Sequence, residues 1–194
     1  MHGRGTSEHD LAPLLDALDP EHRLVGLLPR GPLSLPPGGA HWYAVREIGF
    51  PDPGTFLPTL AALSGWLDDV LAEQALAPES TVLGGFSQGA VMSYALGLGA
   101  DRPTPAGILA LSGFMPTVDG FELNLDDRRG LPVAIGHGTQ DQVIAVSWGR
   151  EARERLTAAG ADVLYRESGV AHTVDPHELP AFADWLARTT APGY

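Results

Sequence analysis

The chain has 194 residues, 44% of them hydrophobic, enough for one good core and too few for two large domains, so one globular domain over residues 1–194 is expected. Its formal net charge of −12 argues against a nucleic-acid partner, because phosphate binding needs a basic face. There is no cysteine, and all twelve Lys/Arg positions are arginine. That excludes disulfides, thiolate nucleophiles, cysteine metal sites, Schiff-base chemistry and a P-loop lysine.

No run reaches the roughly 18 apolar residues of a membrane span, and the opening "MHGRGTSEHD" lacks the apolar centre of a secretory signal. A cytoplasmic protein is expected. In chain order, residues 7–18 put Leu11, Leu14, Leu15 and Leu18 on one helical face. "LVGLLP" (24–29) reads as a buried strand. Residues 55–76 carry Leu60, Leu63, Leu67, Val70 and Leu71 at helical spacing. "TVLGGF" (81–86) reads as a strand and 88–99 as a helix of small residues. Strands follow at 107–113 and 131–138, then a helix over 147–160 with Gly160 as its C-cap. A strand at 162–168 and a helix at 176–189 complete the order. Continuous apolar strands separated by helices predict an α/β fold, a mostly parallel sheet covered on both faces. Ligands bind such sheets beyond the carboxyl ends of the strands, which makes the residues there the candidates for chemistry. The tracts 30–54 and 114–130 read as irregular, and the second as a solvated polar excursion.

After the strand 81–86 comes Ser87, within Gly85-Phe86-Ser87-Gln88-Gly89. This fits G-x-S-x-G, in which a strand turns sharply into a helix and holds a serine hydroxyl exposed. The start of that helix offers the Gln88 amide to a developing oxyanion. Asp141 follows the strand 131–138, where a carboxylate could orient a histidine. His172 follows the strand 162–168, where an imidazole could act as general base. The order Ser, Asp, His is that of the α/β-hydrolase triad. His137 reads as shaping the turn that carries Asp141, and His177 as pointing to solvent. His172, Asp175 and His177 match no strong metal-ligand spacing. Asp119, Asp126 and Asp127 are alternative acids on the polar excursion.

"GGFSQGAVMSYAL", "LALSGFMP", "HGTQDQVI" and "GVAHTV" resemble the phospholipase/carboxylesterase family of small α/β-hydrolases, which includes the acyl-protein thioesterases. The resemblance runs over nearly the whole chain and keeps the motif order. It implies Ser87 as nucleophile, His172 as base and Asp141 as its orienting acid. It also implies a second oxyanion donor after the H-G of His2-Gly3, the Arg4 amide. Trp42, Tyr43, Phe114 and Met115 would border the acyl site. One departure stands out: the family's apolar strand before H-G is nearly all missing, so the N-terminal strand reads as truncated. Three outcomes follow: an upstream start of the gene, which the intact His2-Gly3-Arg4-Gly5 favours, direct pairing of the two flanking strands, or a gap filled by another chain.

The resulting expectation is a serine carboxylesterase acting on small esters through an acyl-enzyme on Ser87, with no metal or organic cofactor. Thioesters and lysophospholipids suit the same machinery. Short acyl chains are expected, because no insertion is large enough to form a lid. The alternatives are a hydrolase-shaped binding protein with an impaired site and a subunit of a larger assembly. A homo-oligomer stays open.

Overall fold

The computed structural model describes residues 1–191. Four strands form a wholly parallel sheet in the order β5 (Val82–Phe86), β6 (Gly107–Leu111), β7 (Pro132–Gly138), β8 (Asp162–Ser168). The strands are named after four short ones that precede them: β1 (Leu33–Leu35), β2 (Gly39–His41), β3 (Val45–Glu47) and β4 (Phe50–Pro51). Alternate residues go to opposite faces, as the strand pleat dictates. Ile108, Ala110, Val133 and Ile135 face α3 (Gln88–Leu98) and α4 (Val146–Ala158). Leu109, Leu111 and Ala134 face Leu18 of α1 (Ala12–Leu18) and Phe182, Trp185 and Leu186 of α5 (Leu179–Thr189). Both faces are therefore covered, which explains the near-continuous apolar runs.

Helix α3 is buried at all eleven positions. Its small residues let it lie between the sheet and α2 (Pro53–Glu73), whose Phe56, Leu63, Leu67 and Leu71 join Val91, Met92 and Ala95 in one cluster. After α4, Gly160 takes φ +83°, and the Ala161 amide donates to Leu156 O, the expected glycine-terminated end.

The structure corrects three expectations. The tract 30–54 is not irregular throughout: β1 pairs with β2 and β3 with β4 as two small antiparallel hairpins. The excursion 114–130 is not simply solvated. Arg128 is buried, and its guanidinium donates to Gly97 O, Gly99 O, Arg102 O and Thr104 Oγ1, satisfying carbonyls at the end of α3. The segment 24–29 is not a strand. Leu24, Val25 and Leu27 are exposed, and Val25 retains 81% of its accessible surface. An apolar run becomes a strand only where a neighbour takes up its backbone groups, and among the described residues no strand is paired to it. Segment 24–29 and β5 are therefore not hydrogen-bonded neighbours in the sheet. The edge of β5 is met instead by the first residue: the Met1 amino group donates to Gly84 O at 2.7 Å, and Phe86 N–H donates to Met1 O at 3.1 Å.

Candidate active site

Ser87 sits at the carboxyl end of β5 with φ 56° and ψ −121°, a strained left-handed backbone that aims its side chain out of the turn. Two glycines make the turn possible by close approach. A Cβ on Gly85 would lie 2.3 Å from Gly89 C, and one on Gly89 would lie 1.9 Å from Met1 O. The strained turn is held from both sides: Ser87 N–H donates to Leu111 O, while Ser87 O accepts from Ala90 and Val91 at the start of α3.

His172 and Asp141 reach the same edge from the loops after β8 and β7. His172 Nε2 lies 2.9 Å from Ser87 Oγ, and its Nδ1 lies 2.6 Å from Asp141 Oδ2. A carboxylate can only accept, so Nδ1 carries the proton and Nε2 is left to accept from the serine hydroxyl. Asp141 is oriented by its own loop. Its Oδ1 accepts from Val143 N–H and Ile144 N–H, both at 2.8 Å. Phe86 backs the imidazole, with ring centroids 4.8 Å apart. The three residues expected from their positions after the strands are thus in one hydrogen-bonded line.

The remaining candidates sort as follows. Gln88 follows Ser87 at the start of α3, and neither its backbone N–H nor that of Arg4 has a partner among the described residues. Gly3, beside Arg4, approaches the nucleophile: a Cβ placed on it would be 3.5 Å from Ser87 Cβ. Trp42, Tyr43, Phe114 and Met115 are all buried in the core clusters. His137 is buried against Asp141, and its Nε2–H donates to Ile144 O at 2.8 Å, so it closes the turn that presents the carboxylate. Asp119, Asp126 and Asp127 are exposed, with Asp127 accepting from Asn124. His177 is exposed and bonds Asp175. Among the described residues no three His, Asp or Glu side chains gather closely enough to hold a metal ion.

Burial holds the His2 and His137 imidazoles below their ordinary pKa. Above about pH 6.5 both are neutral in either state. Below it, the unfolded chain takes up protons that the native state resists. The stability these groups contribute at neutral pH is then lost as pH falls through their lowered native values. Thermal unfolding near pH 6 should therefore take up protons, read as a dependence of calorimetric enthalpy on buffer ionisation. Unfolding without uptake would contradict the neutral assignment.

A parallel α/β sheet with a serine on the strand-to-helix turn, and histidine and aspartate from the next strand ends, defines the α/β-hydrolase class. A model of the Phospholipase/Carboxylesterase family matches residues 1–190, and the chain belongs to that family. Among its relatives is acyl-protein thioesterase 1 of Candida albicans, 30% identical over 173 residues, which are 83% of this chain and 74% of the relative. Two solved structures share the fold. The Bacillus cereus carboxylesterase has a TM-score of 0.81 at 24% identity, covering 97% of this chain and 86% of that one. SOBER1 of Arabidopsis thaliana has a TM-score of 0.76 at 22% identity, covering 98% and 96%. The protein is accordingly a hydrolase of ester bonds.

Proposed function

We propose that the protein hydrolyses short-chain carboxylic esters through an acyl-enzyme on Ser87. The observation that supports this best is the line Ser87 Oγ, His172, Asp141 Oδ2, with separations of 2.9 and 2.6 Å. In this reading Ser87 Oγ attacks the acyl carbon while its proton passes to His172 Nε2. The carbonyl oxygen becomes an oxyanion facing the Arg4 and Gln88 amides. Collapse of the intermediate expels the alkoxide, which takes the proton from Nε2. Water then attacks the acyl-enzyme by the same route, releasing the acid and restoring the serine. Asp141 stabilises the imidazolium that forms in each half. Phe114 and Met115, following β6, would supply the inner wall of the acyl site. Thioesters, as the names of the thioesterase relatives suggest, and lysophospholipids would enter the same chemistry.

Incubation with a fluorophosphonate ester tests the assignment. A mass adduct on Ser87 is expected, and its absence would point to an impaired hydrolase-like binding protein. The edge of β5, met by Met1 alone, and the exposed 24–29 segment favour one further reading, an assembly or homo-oligomer that covers the rest of this edge, which sedimentation would reveal as a species heavier than the monomer. The proposal takes residues 1–194 as one domain and the cytoplasm as its location, which cell fractionation checks.

Acyl preference follows from the loops near the site. A long acyl chain gains about 0.8 kcal/mol per methylene only where it is enclosed. The loops here are rich in proline and glycine and include no lid-sized insertion. The ratio kcat/KM should be higher for butyryl than for palmitoyl esters below the aggregation limit. The reverse order would contradict the short-chain assignment.

A further inference from the structure

The segment carrying the Arg4 amide makes few packing contacts of its own. Gly3 and Gly5 have no side chains, and Arg4 is exposed. Something else must hold it beside Ser87, because an oxyanion donor misplaced by about 1 Å loses most of its effect. On its far side the segment pairs with β2, where Gly5 N–H donates to Ala40 O and Ala40 N–H donates to Thr6 O, both at 2.8 Å. On the side nearer Ser87 the hydrogen bonds lead through His2 to Trp42. The Trp42 indole N–H donates to His2 O at 2.8 Å, and the two rings lie 5.1 Å apart. His2 is itself locked: its Nε2 accepts from Gly31 N–H at 2.9 Å, and its Nδ1–H donates to Gly3 O at 2.8 Å. Both partners fix the same tautomer, because an amide can only donate and a carbonyl only accept. Trp42 is held in turn from the other half of the site. Gln88 Oε1 accepts from Trp42 N–H at 3.0 Å, and Gln88 Nε2 donates to Tyr43 O at 2.9 Å. His2, Trp42 and Gln88 are all buried, so the network is shielded from competing water.

Resting on the assignment of Ser87 as nucleophile, we propose that Trp42 is a positioning residue that couples the two oxyanion donors. Its backbone is clamped by the Gln88 side chain, and its indole holds the His2 carbonyl that fixes the Gly3-Arg4 segment. This gives Trp42 a different task from lining the acyl pocket, and the two tasks leave different kinetic signatures. A donor that acts only in the transition state changes kcat and spares KM. A pocket wall changes selectivity between acyl chains.

The test is Trp42→Phe, which keeps a ring over His2 and removes the N–H. On acetyl and butyryl nitrophenyl esters, kcat should fall about 10- to 100-fold, with KM within about 2-fold. The factor should be the same for both esters. Affinity for a trifluoromethyl ketone, which forms a hemiketal oxyanion on Ser87, should fall by a similar factor. If the phenylalanine variant does not fold, β-(3-benzothienyl)alanine at position 42 gives a ring of the same shape without the N–H, and the same outcome is expected. An unchanged kcat in a folded variant, or a loss that differs between the two acyl chains, overturns the proposal. Fluorophosphonate labelling of the unsubstituted protein runs alongside. No adduct there overturns the Ser87 assignment itself, whereas an adduct with an unchanged Trp42→Phe kcat overturns only the role of Trp42.

Discussion

Ser87→Ala should lower kcat for nitrophenyl esters by about 10^5-fold or more while leaving the fold in place. The hydroxyl is the only group lost. Among the described residues its oxygen accepts nothing from the backbone, and the turn is held by Ser87 N–H and C=O, which alanine keeps. The φ of 56° is costly for any side chain, but alanine meets no new atoms there. Tm should therefore stay within about 3 °C of the parent. A purified variant that still turns over the ester would remove Ser87 from the mechanism. His172→Ala should cost nearly as much, because the two residues act as one unit.

Asp141→Asn should cost about 10^3- to 10^4-fold in kcat, and the geometry shows why. Two backbone amides, from Val143 and Ile144, point at Oδ1. An asparagine must offer them its carbonyl oxygen, which turns its NH2 group toward His172 Nδ1. Two donors cannot face each other, so the imidazole moves its proton to Nε2. That nitrogen then confronts the Ser87 hydroxyl as a donor and can no longer take its proton. The loss comes from the wrong tautomer rather than from disorder, so the variant should keep its Tm and lose fluorophosphonate labelling. Normal activity in Asp141→Asn, with loss in a variant of Asp119, Asp126 or Asp127, would move the acid to the excursion.

What could be read from the chain alone depended on how local the cause was. Ser87 was legible because the turn dictates its neighbours: glycines at 85 and 89 are forced by atoms only a few residues away or by the chain's first residue. His172 and Asp141 were legible because a parallel sheet delivers its strand ends to one edge. The inner strands β6 and β7 were readable from continuous apolar runs, as burial on both faces requires, while the edge strands β5 and β8 carry shorter apolar stretches. The segment 24–29 carries the same apolar signal and is no strand, because strand formation is a property of the pair and not of one run. The hairpins within 30–54 escaped notice because strands of two or three residues show no periodicity. The clamp from Gln88 to Trp42 and the lock on His2 joined residues 46 and 29 positions apart, and no spacing rule announces a hydrogen bond of that kind.

The first residue is wedged between two parts of the site. Its carbonyl lies over the start of α3, and its amino group is spent on Gly84. Anyone who prepares this enzyme with an affinity handle or a dye coupled to the Met1 nitrogen is therefore working inside the machinery. The attachment must leave along the edge of β5, next to the turn that carries Ser87. A preparation labelled there would report low activity for reasons unrelated to its purity, and a label on a cysteine introduced on the exposed face of α2, which is free of these contacts, is the safer choice.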